Sequence, residues 1–299
     1  MNSPLVTIGI PTFNRPDGLL NAIKKITSQT YRNIEIIISN NASNNELVPK
    51  IIEYCASLDG RIKYCHQQEN IGITNNFKYV LREASGEFFM WAADDDDWES
   101  DFIECCLKMH EIAHVGLTMT GFYRFDRSLN LSSVAELHKL DGVDRYLDAT
   151  KFMSAMQHSI IYGLHRKSAI EWFLNDSSTI FDDEYFLIKQ ILNHGVITEP
   201  SLIKYGAGID ATGYKIKTKK VADDRYFNQI ENIIPFAALL AQNNSISDIQ
   251  KIDLFRQILI MKLNFVSVFE KDLRSSEQYN LALKIKSILS DMSVIDALR

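Results

Sequence analysis

The sequence predicts an α/β fold, a mostly parallel sheet with helices on both faces followed by a helical C-terminal region. Three observations carry this expectation. β-Branched runs alternate with helical stretches through residues 1–125. One of those runs, Glu87 to Trp91, leads directly into four consecutive carboxylates, Asp94 to Asp97, and the ligand crevice of an open α/β sheet lies beyond the carboxyl ends of its strands. From residue 221 onward the apolar residues recur at helical period.

Leu5 to Ile10 form the first β-branched run. Pro11 is expected to stop it, leaving Thr12-Phe13-Asn14-Arg15 as a loop before Pro16 opens a helix. Leu19, Ile23 and Ile26 share one face of that helix, and Ile34 to Ser39 form a second buried strand ending in the polar loop Asn40 to Asn45. Strand, helix and strand with short links define a parallel crossover. The pattern then repeats. Leu47, Ile51 and Cys55 mark a helix, Arg61 to His66 a short strand, and Asn70-Ile71-Gly72 a turn before a helix carrying Ile73, Phe77, Val80 and Ala84. Gly86 is expected to close that helix as a left-handed cap, and Ser100 to cap the helix that follows the carboxylates, with Asp101 in its first turn. Four adjacent carboxylates repel one another and are tolerated where a divalent cation or solvent offsets their charge.

Composition narrows the partners. The 299 residues are 46% hydrophobic, enough for a full core. A net charge of −6 and a pI near 5.7, without a dense Lys/Arg block, argue against nucleic acid. Cys55, Cys65, Cys105 and Cys106 lack metal-site spacing and read as core thiols of a reducing compartment. The N-terminus carries no basic segment with an apolar signal core, and no stretch reaches ~20 apolar residues. A soluble protein is expected, cytoplasmic or peripheral at the inner face of the membrane.

Four landmarks, taken in order and spacing, resemble the family 2 glycosyltransferases: the Val6-to-Arg15 strand and loop, the Ser39-to-Ser43 loop, Asn70-Ile71-Gly72, and Ala93-Asp94-Asp95-Asp96 followed by Trp98. A fifth, weaker one is Phe181-Asp182-Asp183-Glu184. The resemblance implies a GT-A (Rossmann-like) fold, with 1–220 as catalytic domain (1–125 the nucleotide-sugar half, 126–220 the acceptor half) and 221–299 as a helical extension. It also implies an inverting transferase that moves a sugar from a nucleotide-diphosphate donor, with a UDP-sugar favoured, to a saccharide or lipid-linked acceptor in bacterial-type surface polysaccharide synthesis.

By the same resemblance Pro11, Thr12, Phe13, Asn14, Asn40, Asn70, Gly72 and Asp94 line the donor, and Asp95 holds Mn²⁺ or Mg²⁺, with Asp96 the alternative if the register shifts by one. These hard cations need only one or two protein carboxylates, because phosphate oxygens and water complete the shell. Asn40 stands where an Asp usually accepts the uracil N3–H; an amide oxygen still accepts but without charge assistance. From Asn41 onward that loop reads as an ordinary turn. The catalytic base is assigned to Asp183, with Asp182 and Glu184 as alternatives, because inversion needs a carboxylate to take the acceptor proton.

Residues 126–148 read as a loop-rich acceptor-side flap, and His158 to Leu164 as a strand whose Tyr162-Gly163 resembles an acceptor-side segment. His158 and His165 read as hydrogen-bonded sheet residues rather than metal ligands. The helix after Asp182, carrying Phe186, Leu187, Ile191 and Leu192, is expected to end at Gly195. Further helices are expected over Arg225–Ala241 with a kink at Pro235, over Ile249–Lys271, and over Gln278–Leu298. The face Ile252, Phe255, Leu259 and Leu263 is expected to pack under the catalytic domain, with a homodimer interface or a peripheral membrane contact as alternatives. Lys215, Lys217, Lys219 and Lys220 form a basic cluster, read as solvated or as approaching the diphosphate or an anionic lipid-linked acceptor. Two other functions fit part of the pattern. A sugar-phosphate nucleotidyltransferase would want a Gly-rich basic loop after the first strand, which Thr12 to Arg15 lacks; a non-catalytic nucleotide-binding scaffold would turn over no donor.

Overall fold

The computed structural model describes residues 3–126, 131–176, 182–208 and 233–268. Strand β1 (Val6–Thr12) runs between β2 (Ile34–Asn40) and β4 (Phe88–Trp91), with β3 (Ile62–His66) beyond β2, and all these pairs are parallel. β1 and β2 are buried along their whole length, which is why they read as unbroken β-branched runs. The register sets Thr12 against Asn40 and Asn40 against His66, so three polar strand ends share one row at the carboxyl edge.

Pro11 does not stop β1, because the pairing continues through Pro11 with Ser39 and Thr12 with Asn40. The Val6 N–H donates to Asn33 O and Thr12 O accepts from the Asn41 N–H, both on the β2 side, while Gly9 O accepts from the Ala92 N–H on the other. Pro11, two residues past Gly9, faces that second side. There β4 pairing has already ended at Gly9 with Trp91, so the missing N–H removes no ladder bond.

Helix α1 (Pro16–Thr27) buries Leu19, Ile23 and Ile26 as expected. α2 (Leu47–Leu58) buries Val48, Ile52 and Cys55 and leaves Leu47 exposed, a face one residue on from the predicted one that satisfies the helical period equally well. In α3 (Ile73–Arg82) Ile73 is exposed, whereas the polar Thr74, Asn76 and Lys78 are buried. Asn76 exchanges hydrogen bonds with Ser39, and Lys78 donates to the Asp176 carbonyl and lies 5.0 Å from the Phe173 ring centre. Buried polar groups with partners are invisible to apolar periodicity. Gly86 is not a left-handed cap. α3 ends at Arg82, and a Cβ on Gly86 would lie 2.7 Å from Leu5 O, so the glycine serves a close backbone approach. The left-handed glycine here is Gly72 (φ 82), before α3.

Beyond β4 the sheet turns mixed. β4 pairs antiparallel with β8 (Leu164–Arg166), β8 with β6 (Leu117–Asp126), and β6 runs parallel to β9 (Val196–Gly208). β7 (Leu131–Val134) pairs with β6, and the short β5 (Asp97–Trp98) lies antiparallel to β9. The strand expected over His158–Leu164 is a 3₁₀ helix, His158–Tyr162, turned at Gly163 into β8. His165 is the buried strand residue expected, its Nε2 2.8 Å from Ile161 O, but His158 lies outside the sheet and pairs with Glu184 at 3.5 Å. α4 (Phe102–Ile112) begins without a side-chain cap from Ser100 or Asp101, since Asp101 pairs instead with Lys204 at 2.8 Å. α6 (Asp183–His194) ends at Gly195 (φ 77) as expected.

These elements fall within one compact unit, Met1–Asp144 with Ala155–Ala211; a second comprises Arg145–Ser154 with Thr212–Arg299. Helix α5 (Arg145–Ser154), which the sequence places with the acceptor half, thus groups with the C-terminal helices α7 (Ile233–Gln242) and α8 (Asp248–Val268). The Tyr146 hydroxyl donates to Asp253 at 2.7 Å, joining α5 to α8. α8 buries Leu254, Ile258 and Lys262, whereas Ile252 on the expected face is exposed. Pro235 lies within α7, and residues 225–232 of the helix expected around it lie outside the described residues. The expected helix over 278–298 and the lysine cluster at 215–220 lie outside the described residues. Among the described residues no helix is long and apolar enough to cross a membrane.

Candidate active site

The four carboxylates after β4 are divided among several partners, with Arg15 shared by Asp94 and Asp95. Asp94, buried, accepts from Thr12 Oγ1 at 2.7 Å and from Arg15 Nη1 at 3.2 Å. Burial outweighs those contacts and pushes its carboxyl up to about 6. Asp95 accepts from the same Arg15 nitrogen at 2.5 Å and has the most exposed side chain of the four, at 41%. Asp96 is buried and accepts from the Tyr205 hydroxyl and, at 2.9 Å, from the Gly208 N–H; burial pushes its carboxyl up to about 8. Asp97 pairs with Lys25 at 2.9 Å. Arg15 and Lys25 offset part of the repulsion read from the sequence, and the field of Asp95 still adds to the upward shift of both Asp94 and Asp96.

Two glycines fix where this loop runs. A Cβ on Gly18, in the first turn of α1, would lie 2.0 Å from Asp94 O, and one on Gly208, at the end of β9, would lie 2.1 Å from Asp95 O. The backbone carrying Asp94 and Asp95 is therefore held between helix and strand at distances that exclude any side chain. β5 adds a second hold, pairing Asp97 with Gly206 and Trp98 with Tyr205.

The donor-side loops are cross-linked by asparagines. Asn14 (φ 57) donates its N–H to Ser43 Oγ at 2.9 Å, and its Oδ1 accepts from the Asn45 N–H at 3.1 Å. Asn41, read from sequence as an ordinary turn residue, is buried. It donates to Asn70 Oδ1 at 3.1 Å and accepts from the Ile71 N–H at 2.9 Å, fastening the loop after β2 to the Asn70–Gly72 turn. Ala42 holds φ 55, a left-handed conformation that costs a non-glycine residue on the order of 1 kcal/mol. Asn40 Oδ1 accepts from the Ser43 N–H at 3.0 Å and its amide lies 3.1 Å from His66 Nδ1. One lone pair of the oxygen expected at the base edge is thus already used. Phe13 is exposed beside these loops and Pro11 is buried beneath them.

The three carboxylates at the start of α6 also differ. Asp182 caps the helix, accepting from the Tyr185 N–H at 2.9 Å, and Glu184 pairs with His158, whose pKa that contact raises. Asp183 accepts no hydrogen bond among the described residues, and burial pushes its carboxyl up to about 6 against the pull of His158. Burial, with the fields of Asp96, Asp183, Asp95 and Asp94 added, holds the Tyr162 hydroxyl well above the ordinary phenol range.

The mostly parallel sheet, with the carboxylates after β4 at its carboxyl edge and helices around it, has the GT-A architecture. Solved structures agree on the fold. S. aureus TarS 1–349 in complex with UDP-GlcNAc superposes with a TM-score of 0.70 over 93% of this chain and 78% of that one, at 13% identity. Mannosyltransferase PcManGT from Pyrobaculum calidifontis, in complex with GDP-Man and Mn²⁺, gives 0.57 over 97% and 81%, at 16% identity. The profile of Glycosyl transferase family 2 matches residues 7–175, and the chain belongs to that family. A Campylobacter jejuni GalNAc(5)-diNAcBac-PP-undecaprenol β-1,3-glucosyltransferase is 30% identical over 171 residues, 56% of this chain and 53% of that protein. The chain spans 16% to 53% of the length of the first curated relatives it matches.

Arg15, Gly18, Asn41, His66, Tyr205 and Gly208 were not assigned from sequence. A glycine inside a helical stretch, as at Gly18, is disfavoured and signals a close approach; nothing local marks Tyr205, whose partner lies 109 residues away.

Proposed function

We propose that this chain is an inverting, metal-dependent glycosyltransferase acting on a nucleotide-diphosphate sugar, with a saccharide or lipid-linked acceptor of bacterial surface polysaccharide synthesis. The observation that carries this reading is the joining of the β1 loop to the acidic loop, Thr12 to Asp94 and Arg15 to both Asp94 and Asp95, at the carboxyl edge of the parallel strands. Asp183 supplies a second, uncommitted carboxylate.

In this reading Pro11, Thr12, Phe13 and Asn14 bracket the base and ribose, with the exposed Phe13 ring offering a stacking face. Asn40, Asn70 and Gly72 shape the other wall, and Asp94 approaches the ribose. The second lone pair of Asn40 Oδ1 is the acceptor for a uracil N3–H, so a UDP-sugar is favoured. The residues fit Mn²⁺ or Mg²⁺. No group of three or more His, Cys, Asp or Glu among the described residues forms a closed cage, but an accessible Asp95 beside Asp94 is what a cation sharing its shell with phosphates and water requires. Asp95 is favoured over Asp96, whose two oxygens are held by Tyr205 and Gly208. When bound, the cation offsets the charge that develops on the leaving diphosphate. Asp183 takes the proton of the attacking acceptor hydroxyl; a carboxyl near 6 is ionised at neutral pH yet more basic than an ordinary aspartate.

Thermal shift with UDP, GDP, dTDP and CMP, each with and without Mn²⁺, tests donor binding. A ligand at 100 times its Kd adds about 2.7 kcal/mol of apparent stability. UDP is expected to stabilise only with Mn²⁺. Stabilisation by none of the four, or by all four without metal, counts against the reading.

A further inference from the structure

Arg15 is a cation already resident where the metal is placed. Its Nη1 bonds both Asp94 Oδ1 (3.2 Å) and Asp95 Oδ2 (2.5 Å), while Nε and Nη2 make no hydrogen bond among the described residues. A guanidinium stays positive at every working pH. Its side chain is 43% exposed. It follows Asn14, held in the left-handed region at φ 57, and stands at the N-cap of α1 without a side-chain cap bond. Its two carboxylate bonds are made through a single nitrogen at the end of a long, partly exposed side chain.

A divalent cation approaching Asp95 alone meets this guanidinium at close range and must displace it into solvent or bind beside a like charge. A metal arriving with a diphosphate meets a different balance, because the phosphate oxygens offer the guanidinium a planar, bidentate partner to replace the carboxylate it gives up. We propose that Arg15 keeps Asp95 closed to free metal and transfers from Asp95 to the diphosphate when nucleotide and metal enter together, making their binding mutually dependent. Two features of the site support the exchange. The guanidinium donors left unused can engage a second anion without first breaking a bond. Asp94, fixed by Thr12 at 2.7 Å, retains a partner after Arg15 leaves; Asp95 has no other described partner, so its freed oxygen is the one offered to the metal. Lys25 does not substitute, since it pairs with Asp97.

The proposal rests on Asp95 as metal ligand, and the test separates the two ideas. Isothermal titration of the full chain with Mn²⁺ alone, UDP alone and UDP with Mn²⁺ is compared for wild type, Arg15→Gln, Arg15→Lys and the double variant Arg15→Gln/Asp95→Asn. Wild type is expected to bind Mn²⁺ alone at least about tenfold more weakly than Arg15→Gln, and Arg15→Gln to bind UDP with Mn²⁺ at least about tenfold more weakly than wild type. Arg15→Lys, which keeps the charge without the fork, is expected to exclude free Mn²⁺ as wild type does yet bind UDP with Mn²⁺ less well. It serves as the comparison should Arg15→Gln fold poorly. Equal Mn²⁺ affinity in wild type and Arg15→Gln, or unchanged UDP–Mn²⁺ affinity in both Arg15 variants, overturns the exchange. If Arg15→Gln gains Mn²⁺ affinity and the double variant keeps it, the metal lies elsewhere and the Asp95 assignment fails instead.

Discussion

Replacing Gly18 by alanine isolates the geometry of the acidic loop from its chemistry. The new Cβ would lie 2.0 Å from Asp94 O and 3.1 Å from Asp94 C, both backbone atoms that no rotamer change can move. Restoring a normal contact displaces α1 or the loop by about 1 Å, and a displacement of about 1 Å at a reacting site costs on the order of 10²-fold in rate. Because Thr12 stands on the fully buried β1, the shift is taken up in the Thr12–Asp94 bond of 2.7 Å and the Arg15 contacts. Stability responds far less: overpacking costs about 1–3 kcal/mol, and exchanging a helical glycine for alanine returns about 1 kcal/mol. Gly60→Ala is the control, since a Cβ there meets nothing within 4 Å. Steady-state donor turnover and thermal unfolding are measured on both. Gly18→Ala is expected to lose ~10²-fold in kcat/KM with a melting temperature within a few degrees of wild type, and Gly60→Ala to lose neither. A Gly18→Ala enzyme within twofold of wild type refutes the idea that this contact positions the carboxylates.

Three further perturbations address the individual carboxylates. Asp95→Ala is expected to abolish metal-dependent donor binding and leave unfolding unchanged or slightly improved, with Asp96→Ala as the control for a shifted register; unchanged binding in purified Asp95→Ala removes it as the metal ligand. Asp183→Asn is expected to cut turnover ~10²-fold or more with donor affinity nearly unchanged, and wild-type turnover to fall as pH drops below about 6. Because the folded state raises this carboxyl, the stability it contributes is present at acid pH and lost as pH rises through about 6. Asp183→Asn therefore stabilises the protein at pH 7.5 by on the order of 1–3 kcal/mol, and a destabilised, fully active variant contradicts both statements. Tyr205→Phe leaves the buried Asp96 with only the Gly208 N–H and is expected to cost about 1–3 kcal/mol in urea unfolding; a neutral result means that Asp96 has found another donor.

The parallel half of the sheet was legible because β1, β2 and β4 are buried on both faces, and burial writes itself as unbroken apolar runs. The placement of the acidic loop was legible for the same reason, since a strand of such composition must deliver its next residues to the carboxyl edge. What the sequence concealed depends on contacts distant in the chain. α3 buries Val80, and Ala84 follows it into the core, as its apolar pattern implied, but it also buries Asn76 and Lys78 because Ser39 and Asp176 receive them, which that pattern could not show. Gly86 and Gly18 are required by backbones more than 70 residues away, and a glycine in a sequence does not say which backbone it meets. The two pairs of loop residues separated least well by local reading were Asn40 with Asn41 and Asp95 with Asp96. In each pair the neighbour's role is decided by one long-range partner: Asn70 for Asn41, Tyr205 for Asp96.

Product analysis on wild type and Asp95→Asn, given a panel of UDP- and GDP-sugars with Mn²⁺, asks most directly whether this chain is a glycosyltransferase. Release of the nucleoside diphosphate by wild type, dependent on the metal and lost in Asp95→Asn, is the predicted result. Release of pyrophosphate from a nucleoside triphosphate with a sugar phosphate, or nucleoside diphosphate release that Asp95→Asn leaves intact, would contradict it.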